Sequence, residues 1–146
     1  MSTIKAAITA VGAYVPDFVL TNKALESMVD TNEEWITSRT GIKERRILKE
    51  EGKGTSFLAI KAAQNLLAKA NVDPLEIDLL IMATATPDMP VASTGAYVAT
   101  EIGATNAFAY DLQAACSSFL FGMSTAAAYI ESGRYKKVLL IGADKM

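Results

Sequence analysis

Blocks of apolar and polar positions follow one another along the chain and predict alternating helices and strands. Residues 55–70 place apolar side chains at helical spacing, with two lysines and an asparagine opposite, which predicts an amphipathic helix. Residues 77–83 form a continuous apolar run without alternation, which is typical of a parallel strand covered on both faces. Residues 106–112 and 137–143 predict two more strands, and residues 117–132 predict the helix between them.

The first part of the chain predicts shorter elements. Residues 4–14 are rich in β-branched and small apolar side chains, which favours a buried strand rather than a signal peptide. Thr21 is a good N-cap for a short helix over residues 23–29. A second helix is predicted to start near Asn32, with two acidic residues in its first turn, and to end near Gly41.

The fold class follows from the order of these elements. Residues 42–48 predict an extended segment, and Ser93 is placed to cap a helix that ends near Ile102. Strands and helices then alternate, which predicts a layered α/β domain with a largely parallel sheet. Right-handed crossovers would place helices on both faces of that sheet.

The helix predicted over residues 117–132 has almost no polar face. A helix that is apolar all round lies inside a protein, so something must cover its outer side. The chain also stops at Met146, just after a predicted buried strand. We therefore expect a truncated, cleaved or separately numbered piece of a larger enzyme, which would not fold well alone because of its exposed apolar surface.

Composition narrows the possible functions. The chain has 146 residues with a formal net charge of −2, which gives no electrostatic reason to expect nucleic acid or an anionic membrane as a partner. It has no apolar run long enough to span a bilayer. The single cysteine excludes an intrachain disulfide and fits a reducing compartment, so we expect a cytoplasmic protein. The chain contains no histidine.

That cysteine, Cys116, follows the strand predicted over residues 106–112. Two alanines turn the chain, and the next helix is predicted to begin at the cysteine itself. The first N–H groups and the dipole of that helix would stabilise a thiolate and could serve as oxyanion-hole donors. The alternative is a small buried hydrophobic residue without chemistry, and local features alone favour that alternative.

Two motifs resemble a known family. Residues 29–46 read VDTNEEWITSRTGIKERR and resemble the D-T-x-x-E-W-I-x-x-R-T-G-I-x-x-R signature of ketoacyl-acyl carrier protein synthase III. Residues 111–118 resemble the D-x-x-A-A-C segment around the nucleophile of that family. The G-x-Y-x-P pattern from Gly12, the T-N pair at Thr21 and the I-G-A-D run ending at Asp144 match as well, so the resemblance covers essentially all 146 residues.

The resemblance implies the N-terminal half, residues 1–146, of a thiolase-like enzyme built from two α/β halves. Cys116 would take an acyl group from acyl-CoA and then react with malonyl-acyl carrier protein in a decarboxylative condensation that starts fatty-acid synthesis. No cofactor or metal is expected, because acyl-CoA is a substrate. The catalytic histidine and asparagine would come from the C-terminal half, so this chain alone should be inactive in condensation.

The resemblance also assigns binding residues. Trp35 would stack on the adenine of coenzyme A, Arg39 would face the nucleotide or its phosphates, and Thr31 would lie beside the adenine. Met89 would lie near the acyl pocket of the partner subunit. Without the family, Trp35 reads as a helix core residue, Arg39 as part of a solvated face and Met89 as a gap filler. Asp111 is interpreted as structural rather than catalytic.

The oligomer and the alternative functions complete the expectations. The family implies a homodimer, with residues 93–112 as the candidate interface. Two alternatives within thiolase-like enzymes are a hydroxymethylglutaryl-CoA synthase and a ketone-forming acyl transferase. A third, of a different class, is a non-catalytic α/β binding module in which Cys116 is merely buried.

Overall fold

The computed structural model describes residues 4–146. Residues 1–3, the start of the stretch in which we predict no signal peptide, lie outside the described residues. The chain divides into two compact units, and each is described by itself. The first unit combines the N-terminal segment up to Tyr14 with Lys53–Met146, and the second is Val15–Gly52.

The helices and strands follow in chain order. The strands are β1 (Val19–Thr21), β2 (Glu44–Arg46), β3 (Leu79–Ala83), β4 (Phe108–Leu112) and β5 (Val138–Gly142). The α-helices are α1 (Asn22–Leu25), α2 (Glu33–Thr40), α3 (Thr55–Ala70), α4 (Thr94–Glu101) and α5 (Ser118–Glu131). Short 3₁₀ turns precede β3 and α5, at Pro74–Glu76 and Ala115–Ser117.

The first unit is built on a parallel sheet of three strands in the order β4-β3-β5. All five residues of the central strand β3 are buried, as its continuous apolar run predicts. The register pairs Leu79 with Phe108 on one side and with Val138 on the other. Because the three strands are parallel, their carboxyl ends lie at one edge of the sheet, which is where the candidate site is found.

One face of this sheet is covered by α3 and α4. Side chains from both helices form a buried cluster with alternate residues of β3 and β5, namely Ala59, Ala63, Leu67, Val98, Ala99, Ile102, Leu80, Met82, Leu139 and Ile141. The polar side of α3 faces water, where Lys61, Asn65 and Lys69 are exposed. The prediction of an amphipathic helix over residues 55–70 is therefore confirmed.

The opposite face carries α5. Alternation along β5 points Leu140 away from Leu139 and Ile141, and a Cβ at Gly122 of α5 would lie 2.5 Å from the Cδ1 atom of Leu140. The outer side of α5 is uncovered, and its large apolar side chains are exposed by 39% to 65%: Phe119, Leu120, Phe121 and Met123. The prediction that this helix has almost no polar face is confirmed, because even its exposed side carries large apolar residues.

In the second unit β1 pairs with β2 in antiparallel register, α1 packs against β1, and α2 packs against α1. The side chain of Thr21 accepts a hydrogen bond from Ala24 N and caps α1, as predicted. Asn32 caps α2 in the same way through Trp35 N, and Gly41 ends that helix with a φ of 72°. Both predicted ends of α2 are therefore confirmed, whereas α1 ends at Leu25, four residues before its predicted end.

The predicted strand over residues 4–14 is wrong. The structure assigns no strand there, and Ile8 and Val11 are 73% and 64% exposed. A strand is stabilised by backbone hydrogen bonds to a neighbouring strand, and no described strand of the chain pairs with this segment. It lies against α3 instead, where Ala13 N donates to Asn65 Oδ1 at 3.3 Å.

The described helices were compared with the length and apolar character of a membrane-spanning helix. Within residues 4–146, none of them combines the length and the apolar character that crossing a bilayer requires.

Candidate active site

Cys116 lies in a sharp turn between β4 and α5. Ala115 has a φ of 46°, a left-handed conformation that residues with a Cβ seldom adopt. Ser118 holds the turn, because its hydroxyl accepts from Ala114 N at 2.8 Å and donates to Ala115 O at 2.7 Å. The predicted strand-to-helix turn is confirmed, with one difference: Cys116 lies in a 3₁₀ turn, and α5 begins two residues later.

An open cavity of about 320 Å³ adjoins the thiol. Its lining consists mainly of small residues at the ends of β3 and β5 and in the cysteine turn: Ala83, Ala115, Cys116, Ser118, Phe119, Gly142, Ala143 and Asp144. Cys116 is itself exposed in this structure. In this structure the cysteine is therefore not the buried residue of the alternative interpretation, and open space lies beside it.

Asp144 holds the wall of the cavity together at the ends of β3 and β5. Its Oδ1 atom accepts from Ala85 N at 2.7 Å, from Thr86 N at 3.1 Å and from the hydroxyls of Thr84 and Thr86 at 3.0 and 2.9 Å. Burial raises the pKa of Asp144, but these hydrogen bonds outweigh burial, so the pKa lies below its ordinary value. The carboxylate is therefore ionised at neutral pH.

Asp111 plays a similar part at the end of β4. Its carboxylate accepts from Ser93 Oγ at 2.9 Å and from the backbone N–H groups of Thr94 and Gly95 at 2.8 and 2.7 Å. These are the first groups of α4, so Asp111 caps that helix and fixes it to the sheet. The geometry supports the interpretation of Asp111 as a structural residue.

Met89 lies in the loop between β3 and α4. It is 48% exposed, and its neighbour Val91 is 98% exposed. The base of the loop is held by Asp88, whose carboxylate oxygens both accept from Ser56 N at 3.2 Å. Met89 therefore does not fill a gap in the described core, and its loop presents apolar side chains outward.

The predicted nucleotide-binding residues belong to the second unit. Trp35 and Arg39 lie one turn apart on α2, and the guanidinium carbon of Arg39 is 5.3 Å from the centroid of the indole. Trp35 is 53% exposed, so it is not a core residue of this unit. Thr31 is half-buried and immediately precedes Asn32, the N-cap of α2. The structure thus brings all three residues to one helix and the segment leading into it.

Sequence reasoning missed two polar residues that organise these regions. The sequence motif alone assigns no role to Asp144, although a position just after a buried strand is a typical signal of a site residue. The T-N pair gives Asn22 no separate role, yet its side chain is 1% exposed and is hydrogen-bonded to Thr37, Ile42 and Arg45. No pattern in one sequence shows that an asparagine at the start of a short helix is buried.

The architecture defines the class of protein first. A parallel sheet between helices, with an exposed cysteine at a strand-to-helix turn, is an α/β arrangement of the thiolase-like type. The crystal structure of 3-oxoacyl-[acyl-carrier-protein] synthase III from Aquifex aeolicus VF5 matches it with a TM-score of 0.91 and 46% identity. That match covers 97% of this chain and 45% of the other chain. The predicted fold class is confirmed.

Sequence comparison then gives the family. A profile described as 3-Oxoacyl-[acyl-carrier-protein (ACP)] synthase III matches residues 110–146. The chain is 56% identical to Beta-ketoacyl-[acyl-carrier-protein] synthase III 2 of Bacteroides thetaiotaomicron and 53% identical to Beta-ketoacyl-[acyl-carrier-protein] synthase III of Porphyromonas gingivalis. Both matches cover 100% of this chain and 44% of the relative, so the chain spans less than half the length of these relatives. Over its whole length the chain is therefore similar to part of the ketoacyl-acyl carrier protein synthases III, as the two motifs predict.

Proposed function

We propose that this chain is the acyl-accepting half of a β-ketoacyl-acyl carrier protein synthase III, with Cys116 as the nucleophile. The observation that carries the proposal is the exposed thiol at the strand-to-helix turn, beside a cavity of about 320 Å³. A buried cysteine in the same sequence would not have supported it. The similarity of the chain to synthases III in sequence and in structure supports the same chemistry.

The first half-reaction is an acyl transfer. The sulfur of Cys116 attacks the carbonyl carbon of acyl-CoA, and the tetrahedral intermediate collapses with loss of the coenzyme A thiolate, which takes up the proton given up by Cys116. The backbone N–H of Cys116 is proposed as one donor to the oxyanion. The products are acyl-Cys116 and free coenzyme A.

The second half-reaction is a condensation with malonyl-acyl carrier protein. Loss of carbon dioxide leaves a carbanion, which attacks the acyl-Cys116 carbonyl and releases the thiolate, so that a β-ketoacyl-acyl carrier protein is formed. This step needs a histidine and an asparagine from a C-terminal half, and the present chain has no histidine. We therefore propose that the chain does not carry out the condensation on its own.

Coenzyme A is proposed to bind at α2. Trp35 is exposed and would stack on the adenine, Arg39 would meet the nucleotide or its phosphates, and Thr31 would lie beside the adenine. The contact between Arg39 and the Trp35 ring already orders both side chains on one side of the helix. No further cofactor or metal is part of the proposed reaction.

Two protein partners are proposed. A C-terminal half of the same enzyme would cover the exposed apolar side of α5. A second copy would meet residues 93–112 and place Met89 near its acyl pocket; β4 lies at an edge of the sheet, and Phe108 and Tyr97 are 60% and 45% exposed. The free cysteine fits a reducing cytoplasm.

Acylation is the direct test. The chain and a full-length enzyme that contains it are incubated with radiolabelled acetyl-CoA, and the adduct is located by mass spectrometry. A thioester on Cys116 is expected in the full-length enzyme and should be lost in Cys116→Ser. Cleavage of the adduct by hydroxylamine would identify it as a thioester.

The controls separate the alternatives. A well-folded protein that forms no adduct in either form would favour the non-catalytic binding module. An acetyl adduct that condenses with acetoacetyl-CoA rather than with malonyl-acyl carrier protein would favour a hydroxymethylglutaryl-CoA synthase. Alkylation by iodoacetamide at pH 6.5 gives a second readout, because an ordinary thiol with a pKa of about 8.5 reacts slowly there.

A further inference from the structure

Asn22 is the most buried polar side chain of the second unit. It is 1% exposed, although it stands at the first position of a helix of only four residues. Its Nδ2 atom donates to Thr37 Oγ1 at 3.2 Å and to the carbonyl of Ile42 at 2.7 Å, and its Oδ1 atom accepts from Arg45 at 2.7 Å. One amide therefore joins α1, α2, the segment after α2, and β2.

Burial of the Asn22 amide costs free energy that burial of an apolar side chain would not. Burying an amide removes it from water, and hydrogen bonds within the protein restore only part of the lost hydration. What the amide adds is direction, since both donors and the acceptor must meet partners in fixed positions. Asn22 thus determines where the end of α2 lies relative to β2 within this unit.

The clamped helix is the one that carries the proposed coenzyme A residues. Thr37 lies between Trp35 and Arg39 in sequence, and successive residues of a helix are about 100° apart around its axis. Trp35 and Arg39, four residues apart, therefore share a side, while Thr37 points well away from both. The exposures agree, because Trp35 and Arg39 are exposed and Thr37 is half-buried. Asn22 therefore binds the side of α2 that carries Thr37, while the side that carries Trp35 and Arg39 stays exposed.

We propose that Asn22 is a positioning residue for the coenzyme A site, acting through α2 to set the direction in which Trp35 and Arg39 face. The proposal rests on the proposed function, in which those two side chains bind the nucleotide. Asn22 itself does not touch the ligand. Its loss is expected to weaken coenzyme A binding by more than its effect on folding explains.

The amide chemistry suggests an informative variant. Asn22→Asp keeps the shape and the partner Arg45, but a carboxylate has no hydrogen to donate to the Ile42 carbonyl. It places two acceptors face to face in a buried position, which should turn or loosen the end of α2. Thr37→Val keeps Asn22 and the shape of residue 37, and removes only the hydroxyl that receives one of the bonds.

Binding can be followed directly at the site. The chain contains one tryptophan, Trp35, so quenching of its fluorescence during a coenzyme A titration reports stacking on that ring alone. Small misplacements of binding groups reduce function by large factors, so we expect about tenfold weaker binding in Asn22→Asp and a smaller loss in Thr37→Val. Thr21→Ala is the matched control, because it removes the cap of α1 without removing any partner of Asn22.

The outcomes separate this inference from the proposed function. If the wild-type chain is folded by circular dichroism but does not bind coenzyme A, the assignment of the nucleotide site to α2 fails, and the inference falls with it. If the wild type binds and Asn22→Asp binds no worse than Thr21→Ala at temperatures where both are folded, only the inference is overturned. If Asn22→Asp does not fold, Thr37→Val decides, and wild-type affinity in that variant would likewise overturn it.

Discussion

Both faces of the sheet in the first unit carry helices, but only the face with α3 and α4 has its apolar side chains covered. On the first face, Leu67 of α3 is 6% exposed and packs among residues of α4 and the sheet. On the second face, Leu120 of α5 is 65% exposed. The same residue type at a helical position thus lies in a core in one case and at an open surface in the other.

This difference shows which face of the sheet has its apolar side chains covered by the chain itself. The face with α3 and α4 has a closed apolar cluster, and the outer side of α3 is polar, so this face meets the requirements of a stable two-layer unit. The face with α5 presents several large apolar side chains side by side, and such a patch marks an interaction surface. The proposed C-terminal half is the partner that this surface fits.

The largest expected effect comes from truncating the two leucines. Leu67→Ala should lower the free energy of unfolding by about 2–5 kcal/mol, because it leaves a cavity in the closed cluster. Leu120→Ala should change it by less than about 0.5 kcal/mol, because the side chain is already mostly in water. Urea unfolding followed by circular dichroism measures both. Equal losses would mean that α5 is covered in this chain and that the comparison of the two faces is wrong.

Local patterns predicted the first face well because everything that decides it lies within the chain. The spacing of Ala63 and Leu67 indicates which side of α3 is buried, and the apolar run of β3 requires cover on both faces. The prediction of a strand over residues 4–14 is wrong for the opposite reason, because the partner that a strand needs is not among the described strands of the chain. Their β-branched pattern is real, but a strand needs a neighbour, and no described strand of this chain provides one.

The second expected effect concerns one glycine on each face. A Cβ at Gly95 of α4 would lie 3.0 Å from Met82 Cβ and 3.1 Å from the carbonyl oxygen of Tyr110, and backbone cannot easily give way. Gly95→Ala should therefore destabilise the chain by about 1–3 kcal/mol through overpacking. A Cβ at Gly122 of α5 meets the tip of Leu140, which can rotate, so Gly122→Ala should cost less. Thermal unfolding of the two variants would contradict this if Gly122→Ala were the more destabilised.

The third expected effect concerns the turn that presents the nucleophile. Ala115 adopts a φ of 46°, which is strained for any residue with a Cβ, whereas glycine adopts it freely. Ala115→Gly removes this strain and should raise the free energy of unfolding by about 0.5–1 kcal/mol. This net value allows for the greater conformational freedom of glycine in the unfolded chain, which acts in the opposite direction. The iodoacetamide rate at Cys116 should change as the turn loosens. A lower stability would show that the left-handed conformation is not held at this residue.

The candidate site was predictable only in part. The position of Cys116 at a strand-to-helix turn could be inferred from residues 106–118, because strand, small turn residues and helix are all local signals. The conformation of Ala115 and the four hydrogen bonds to Asp144 Oδ1 could not, since they depend on where the ends of β3 and β5 meet in space. Trp35 needed the structure for another reason, because an indole on an amphipathic helix reads as core until its exposure is known.

The smallest expected effect compares two carboxylates at opposite ends of the same sheet. Asp144 accepts hydrogen bonds beyond the carboxyl ends of the strands, and Asp78 accepts from Lys137 N and Lys136 N before β5 begins. The bonds from Lys137 N and Lys136 N lower the pKa of Asp78, and the bonds described above lower the pKa of Asp144 against the effect of burial.

Both groups are therefore more acidic in the folded chain than in the unfolded one, where an aspartate has a pKa of about 3.9. The stability that they contribute is present above that value and is lost as the pH falls through their lower folded pKa values. Asp144→Asn and Asp78→Asn should each be less stable than the wild type at pH 7 and should lose less stability on acidification. Urea midpoints at neutral and acidic pH test this. If either variant stays parallel to the wild type across that range, its carboxylate does not contribute to the acid sensitivity of the fold.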